Sequence, residues 1–315
     1  MAIDGILIVD KPAGMTSHDV VAGVRRICGE RSVGHLGTLD PMATGVLPLV
    51  LGRMTRLAQF YQGAAKAYAG EICFGMATDS YDADGDPVDF QPQCEPLPLT
   101  LESVRTAAAY FRGRMQQLPP PFSAKKIKGV PAYKLARRKV EVELKPVEVE
   151  IEEFIIESLS ADRACFRAVV SAGTYVRSIA HELGQRLGCG AHLSALRRTL
   201  CGEFRVEDAH SLDEIARRVD AGTGLGDYLI HPRMILPQMP AVTASPETAG
   251  RVRNGNAVNL PEMSEAKLVR VFANQSDLLA IASRIAGTLF QPKVVLAASG
   301  KDVVKEGNST LTEPK

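Results

Sequence analysis

The sequence contains no tryptophan, and aromatic residues make up only 5% of its 315 residues. Aliphatic side chains must therefore supply most of the hydrophobic core. Long hydrophobic runs are also absent. The apolar stretch GILIVD at 5–10 is too short for a signal peptide or a membrane span, and Lys11 follows it directly. We therefore predict no membrane segment and a cytoplasmic location.

Paired cysteine motifs and common cofactor motifs are missing too. The six cysteines are scattered without a CxxC, which favours free thiols in a reducing compartment. The sequence contains no GxGxxG, and the segment GERSVGHLG lacks the lysine of a phosphate-binding loop. We predict neither a nucleotide nor a redox cofactor.

Two segments have a partial resemblance to metal sites. His181, Cys189, His192 and Cys201 do not have the spacing of paired zinc ligands. The segment that starts at Asp82 begins like a calcium loop, but Pro87 and Gln93 replace the glycine and glutamate that such a loop needs. We predict no metal, and a solvated polar loop in this region.

Charge is unevenly distributed, although the formal net charge is only +1. Residues 112–145 contain ten Lys or Arg and two Glu, and residues 163–205 contain seven Arg and two Glu. Residues 79–102 contain seven acidic residues and no basic one. Two basic segments indicate a positive face that binds nucleic acid. Charge alone leaves an ordinary solvated surface equally open.

Periodicity and turn residues predict a mixed α/β chain. A strand at 5–10 precedes a helix with Ser17 as its N-cap and Gly29 as its stop. GVLPLVLG reads as a buried strand that Pro48 could end early, and residues 54–66 read as a helix. A helix capped by Thr100 is predicted over 99–113, and further strands and a helix over 141–188.

The pattern of apolar runs and turn residues changes near residue 235. Short strand-like runs between turn signals follow, with one helical segment, which indicates a small β-rich domain. We predict a catalytic domain over 1–235, an RNA-binding domain over 236–297 and a flexible tail over 298–315.

Asp40 stands out because it lies in the segment GHLGTLDPMATGVL, between a glycine-rich turn and a proline. An aspartate before a proline usually only satisfies a backbone N–H in its turn. Here Gly34, Gly37 and Gly45 allow the backbone to approach a ligand closely, and Arg177 is a candidate partner for the carboxylate. The segment is therefore a candidate catalytic loop.

The same segment resembles the catalytic motif of the TruB-type tRNA pseudouridine(55) synthases. LIVDKPAGMTSHDVV, KAYAGEICFGMATDSYDADGD, LPPPFSAKKIKGVPAYKLAR, SAGTYVRSIAHELG and GCGAHLSALRRT resemble further motifs of this family in the same order. The resemblance covers about residues 5–205. It implies the pseudouridine synthase fold, with a mixed, mostly antiparallel β-sheet flanked by helices. More weakly, the C-terminal region resembles a small PUA-like β-barrel.

The family resemblance implies the roles of three catalytic residues. Asp40 is the catalytic carboxylate, which adds to C1′ of uridine or assists departure of uracil through a glycal. Arg177 pairs with Asp40 and keeps it ionised. Tyr68 stacks on the uracil and removes the C5 proton after the base has been rejoined. The reaction rearranges the same atoms, so no cofactor and no metal is implied.

The resemblance also implies a set of substrate contacts. His35 fills or braces the space that the extruded base leaves in the RNA. Tyr175 and Leu196 line the uracil pocket, and Lys11 supports the active-site loop. Lys125, Lys126 and Lys128 lie in the basic segment that would bind RNA phosphates.

The implied partner is the T stem-loop of tRNA, bound by a monomer that needs no protein partner. Two other classes stay open from the residues alone. A non-catalytic RNA-binding module would explain the basic segments but not Asp40. A glycosidase that uses two carboxylates would need a second acid at a matched distance, and no predicted motif supplies an obvious one.

Overall fold

The computed structural model describes residues 3–92, 94–122 and 144–296, together with two short strands at 126–127 and 130–131. The predicted tail at 298–315 lies outside the described residues. No helix in these ranges is long and apolar enough to cross a membrane.

The N-terminal part alternates strands and helices. Its strands are β1 (Gly5–Lys11), β2 (Val33–His35), β3 (Thr44–Leu51), β4 (Lys66–Phe74), β5 (Ala77–Thr78), β6 (Pro87–Val88), β7 (Gly113–Gln117), β8 (Lys126–Ile127), β9 (Val130–Pro131), β10 (Val147–Ser160), β11 (Arg163–Val170), β12 (Ala191–Cys201) and β13 (Phe204–Arg205). Its α-helices are α1 (Ser17–Cys28), α2 (Leu101–Ala108), α3 (Val176–Leu187) and α4 (Leu212–Asp220). The 3₁₀ segments of this part are Gly52–Phe60, Ala109–Phe111, Val206–Asp208, Gly226–Tyr228 and Pro232–Met234.

A nine-stranded sheet organises this part, in the order β1-β3-β12-β4-β11-β10-β7, with β13 paired to β12 and β2 to β3. Neighbouring strands of this sheet are antiparallel except for β3 and β12, which run parallel where Arg197 faces Thr44 and Arg198 faces Gly45. The mixed, mostly antiparallel sheet predicted from the family resemblance is therefore confirmed.

Strand β1 shows that the sheet is covered on both faces. Leu7 and Val9 belong to a core with the helices, whereas Ile6 and Ile8 belong to a second core on the opposite face. Successive side chains of a strand point to opposite faces, so a strand buried on both faces is apolar at consecutive positions.

The C-terminal part is β-rich, as predicted. It contains β14 (Ala241–Thr243), α5 (Pro246–Arg253), β15 (Val258–Asn259), β16 (Leu268–Phe272), β17 (Leu278–Ala286) and β18 (Leu289–Val295). These strands form a five-stranded sheet in the order β14-β16-β17-β18-β15. Phe272 and Ile281 of this sheet join the second core beneath β1 and β3. The curled sheet agrees with the PUA-like fold, and the boundary at 235/236 stays a prediction.

Three local predictions were wrong. Thr16, not Ser17, is the N-cap of α1, because its hydroxyl accepts from the backbone N–H of Asp19 in a capping box. The predicted helix at 54–66 is a 3₁₀ segment over Gly52–Phe60. Pro48 does not end β3: its position faces Ile8, and its carbonyl accepts from the N–H of Leu36 at 2.9 Å. The predicted caps Gly29 and Thr100 are both present.

Candidate active site

Asp40 lies between β2 and β3, where it pairs with Arg177 at the start of α3. The guanidinium Nε lies 2.8 Å from Asp40 Oδ2, and Nη2 donates to Oδ1 at 3.0 Å. The Arg177 side chain is only 6% exposed, whereas that of Asp40 is 34% exposed. This two-point contact fixes the plane of the carboxylate and leaves part of it accessible.

Burial raises the pKa of the Asp40 carboxyl, and the neighbouring Arg177 guanidinium opposes that rise. The predicted ion pair is therefore present, but desolvation affects the pKa of Asp40 more strongly than Arg177 does. The arginine limits the cost of ionising a carboxylate that has lost most of its water.

Arg177 is held by more than Asp40. Its Nη1 lies 3.2 Å from Asp82 Oδ2 and donates to the carbonyl of Ser80 at 3.0 Å, while Nη2 donates to the carbonyl of Phe122 at 3.0 Å. Gln117 fixes the start of α3, because its amide bonds both the N–H and the carbonyl of Tyr175. The guanidinium is thus placed before any substrate binds.

Asp82 is a residue that sequence reasoning missed. Its loop was predicted to be solvated, but Asp82 is 4% exposed and Ser80 is 8% exposed. The Ser80 hydroxyl donates to Asp82 Oδ1 at 2.5 Å, and Tyr81 between them has a left-handed φ of 67°. The prediction was wrong because the buried partner of Asp82 lies far away in the sequence, on α3.

The backbone of the catalytic loop is held on one side by Lys11 and Ser17. The fully buried Lys11 donates to the carbonyls of Pro12, Pro41 and Ala43 at 2.8, 3.0 and 2.7 Å. The Ser17 hydroxyl accepts from the N–H of Leu39 at 2.8 Å and donates to its carbonyl at 3.2 Å. Lys11 therefore lies where it was predicted to support the loop.

Arg198 holds the other side of the loop. This fully buried side chain donates to the carbonyls of Gly37, Thr38 and Val46 at 3.0, 3.3 and 2.7 Å. Gly45, with a φ of 98°, faces the Arg198 backbone so closely that a Cβ would lie 2.2 Å from its carbonyl oxygen. Arg198 was not among the predicted site residues, because a basic residue in a strand reads as a surface residue.

Tyr68 lies on β4 directly opposite Arg198 on β12. Its side chain is 9% exposed and belongs to the core that includes Leu39 and Ala43. Burial raises the pKa of the Tyr68 phenol, and the Arg198 guanidinium opposes that rise. The predicted catalytic tyrosine therefore shares a neighbourhood with the loop that carries Asp40.

A cleft of about 670 Å³ adjoins the catalytic loop, within the range of small-ligand sites. It is lined by Gly14, Met42, Thr44, Gly70, Leu196 and Arg197, among others. Leu196 therefore faces a cavity, and its place in a uracil pocket stays a prediction. Tyr175 is half-buried at the N-cap of α3 and is not among the residues that line this cleft.

His35 ends β2, five residues before Asp40, and is half-buried. Its Nδ1 accepts from the N–H of Gly37 at 3.3 Å. Burial, with smaller effects of Arg198 and His18, lowers the pKa of His35. A neutral imidazole agrees with Nδ1 acting as an acceptor.

The remaining predicted contacts fall in the basic segment. Lys125 and Lys128 lie outside the described residues, and only the backbone of Lys126 is described, in β8. Within the described part of the chain, no group of three or more His, Cys, Asp or Glu is placed to hold a metal ion.

Solved structures with a similar architecture include the matching chain of "Crystal Structure of a Cbf5-Nop10-Gar1 Complex", at 24% identity and a TM-score of 0.69, with 94% of this chain and 85% of that chain covered. A second is "Structure of H/ACA RNP bound to a substrate RNA containing 2'-deoxyuridine", at 23% identity and a TM-score of 0.68, with 94% and 86% covered. Residues 25–176 match the model of the TruB family pseudouridylate synthase N-terminal domain. Residues 177–238 match that of the tRNA pseudouridylate synthase B C-terminal domain. The fold and the site thus define a pseudouridine synthase.

Curated relatives specify the family. The chain is 44% identical to tRNA pseudouridine synthase B of Solibacter usitatus over 93% of this chain and 100% of the relative. It is 47% identical to the protein of the same name from Opitutus terrae, over 68% of this chain and 87% of the relative. The chain belongs to the TruB family of pseudouridylate synthases.

Proposed function

We propose that this enzyme converts uridine-55 in the T loop of tRNA to pseudouridine, without a cofactor. The observation that carries the proposal is the two-point contact between Asp40 and a buried Arg177 beside a cleft of about 670 Å³, which is large enough to admit a nucleobase. The names of the relatives support tRNA as the substrate.

Asp40 acts on C1′ of the target nucleotide, either by addition or by assisting departure of uracil as a glycal forms. Its partial exposure lets a sugar carbon approach the carboxylate, and Arg177 aims both oxygens. After uracil turns and C5 bonds to C1′, Tyr68 removes the C5 proton. The target base must leave the RNA loop, which costs a few kcal/mol that new protein contacts offset.

The three lysines of the basic segment contact RNA phosphates in this proposal, and His35 fills the space left by the extruded base. We propose that the enzyme acts as a monomer in the cytoplasm without an obligate protein partner. The domain division at 235/236 also belongs to the proposal.

Release of tritium from C5 tests the activity directly. A T-stem-loop transcript that carries 5-tritiated uridine should release tritium with EDTA present, and a matched transcript with cytidine in place of uridine-55 should release none from the labelled uridines elsewhere. No release from the first transcript by folded enzyme would refute the proposal, and release from the second would refute the position.

Asp40→Asn tests the role of the carboxylate. We expect no turnover, with the dissociation constant for RNA within about tenfold of the wild-type value, because the side chain keeps its shape. Retained turnover would remove Asp40 from its proposed role.

The basic segment has a separate test. Replacing Lys125, Lys126 and Lys128 together by alanine should weaken RNA binding and reduce the slope of log affinity against log salt by about three, one for each phosphate that no longer meets a lysine. Glu141→Gln and Glu143→Gln in the same segment serve as matched controls, since they remove negative charge and should not weaken binding. An unchanged salt slope in the lysine variant would contradict the proposed binding of phosphates.

A further inference from the structure

Arg198 is one of two fully buried cationic side chains beside the catalytic loop. None of the ion pairs found among the described residues includes it. A buried charge is costly unless hydrogen bonds or an opposite charge compensate for lost hydration. Three loop carbonyls compensate part of this cost, so Arg198 keeps a positive charge inside the site.

The sheet register places this charge beside Tyr68. Arg198 and Tyr68 are directly opposite on antiparallel strands β12 and β4, so their side chains share one face of the sheet. The sheet register therefore brings the two side chains side by side in the core that also contains Leu39 and Ala43 of the loop. Arginine has five N–H donors, and the three loop carbonyls leave others for the phenol oxygen.

We propose that Arg198 is a positioning residue that orients the Tyr68 phenol and stabilises the phenolate form that accepts the C5 proton. The proposal rests on the proposed function. Once C5 has bonded to C1′, that carbon carries both the sugar and its original hydrogen. The C5–H bond then breaks, its electron pair restores the C5–C6 double bond, and the proton passes to the phenolate oxygen.

The electrostatics of the site support this role. Burial raises the pKa of Tyr68 and so disfavours its phenolate, and the Arg198 cation is the first effect that opposes this rise. Removing the cation therefore lowers the fraction of enzyme that has a competent base. Loop support alone has no such effect on proton transfer.

Arg198→Met tests the proposal, because methionine removes the charge and keeps an unbranched side chain. We expect single-turnover tritium release to fall severalfold, because a smaller fraction of the enzyme has an ionised base and the higher basicity of that base offsets only part of the loss. With 5-deuterated substrate, the isotope effect should be larger in the variant than in wild type, because proton removal becomes slower relative to the other steps.

A fluorinated tyrosine at position 68 distinguishes an effect of Arg198 on the phenolate from an effect on the loop. Difluorotyrosine ionises more readily than tyrosine, and the ionised fraction rises faster than the basicity falls. It should restore part of the rate that Arg198→Met loses. Arg198→Lys keeps a cation with fewer donors and should give an intermediate isotope effect. If Arg198→Met does not fold, Arg198→Lys with and without difluorotyrosine makes the same comparison.

Arg270→Met is the matched control. Arg270 is also buried and donates to three backbone carbonyls, those of Arg233, Ile235 and Met239, in the C-terminal part. It should lower thermal stability and leave the isotope effect unchanged. A folded Arg198 variant whose isotope effect equals that of wild type, or whose rate is not raised by difluorotyrosine, would overturn the inference. Absence of tritium release from wild type would overturn the proposed function instead.

Discussion

The buried amine of Lys11 predicts a pH dependence of stability with a defined sign. Burial lowers the pKa of Lys11 from 10.5 to about 8, although Asp40 opposes this effect. Between these values the unfolded chain binds more protons at Lys11 than the folded chain does. The free energy of unfolding therefore rises with pH through this window. The full difference is worth roughly 3 kcal/mol, since one pKa unit corresponds to about 1.36 kcal/mol.

Only part of this range is accessible to an unfolding experiment. From the two pKa values, the Lys11 contribution to the free energy of unfolding should increase by about 1 kcal/mol between pH 8 and 9, and by less than half as much between pH 7 and 8. Urea unfolding of wild type and Lys11→Met at pH 7, 8 and 9 measures it. Other groups that titrate in this range cancel in the difference between the two proteins.

The difference in unfolding free energy, wild type minus Lys11→Met, should therefore grow in favour of wild type as pH rises. Its absolute value depends on the carbonyls of Pro12, Pro41 and Ala43, which the variant leaves without their donor. A difference that stays constant from pH 7 to 9, or that shrinks, would refute the reasoning about the burial of Lys11.

Three further variants probe the support of the site. Asp82→Asn removes one of two carboxylates on Arg177, so we expect kcat for tritium release to fall at least about tenfold. The free energy of unfolding in urea should decrease by about 1–3 kcal/mol. An unchanged kcat would contradict the role of this ion pair. Ser17→Ala removes both hydrogen bonds to Leu39, so it should lower the free energy of unfolding by about 1–3 kcal/mol and also lower kcat. The control, Thr16→Ala, should lower the free energy of unfolding by about 1 kcal/mol and retain kcat. Gly45→Ala places a Cβ against the Arg198 backbone at a left-handed φ, so we expect the free energy of unfolding, measured by thermal unfolding, to fall by roughly 3 kcal/mol or more. A variant as stable as wild type would show that β3 and β12 can separate.

Local signals in the sequence predicted most of the fold. Glycine stops and threonine caps depend on neighbouring residues, so Gly29 and Thr100 were predicted correctly. The position of Pro48 could not be judged, because a proline is tolerated where its missing N–H faces no acceptor, and that depends on the partner strands. Thr16 and Ser17 are equally good caps by residue type. In the structure Thr16 forms the capping box with Asp19, whereas Ser17 bonds Leu39.

The residues of the candidate site also fall into two groups, those that local motifs predicted and those whose position depends on distant parts of the chain. Asp40, Arg177 and Lys11 were predicted from motifs, and the structure brings them together. Asp82 and Arg198 were missed because each is buried against a segment that lies far away in the chain, α3 for Asp82 and the catalytic loop for Arg198. A charged residue in an alternating strand or an acidic loop carries no local signal that it is buried.

The parallel pairing of β3 with β12 has a consequence for how the molecule is made. Arg198 and Val46, which it joins, are 152 positions apart in the chain. At typical synthesis rates, roughly 8–30 s separate the appearance of these two residues on the ribosome. During that interval β3 lacks its inner neighbour, and its apolar edge is open to wrong pairing. The segment that carries Asp40 therefore stays unfinished until late in translation, so a nascent chain cut before β12 should have no activity.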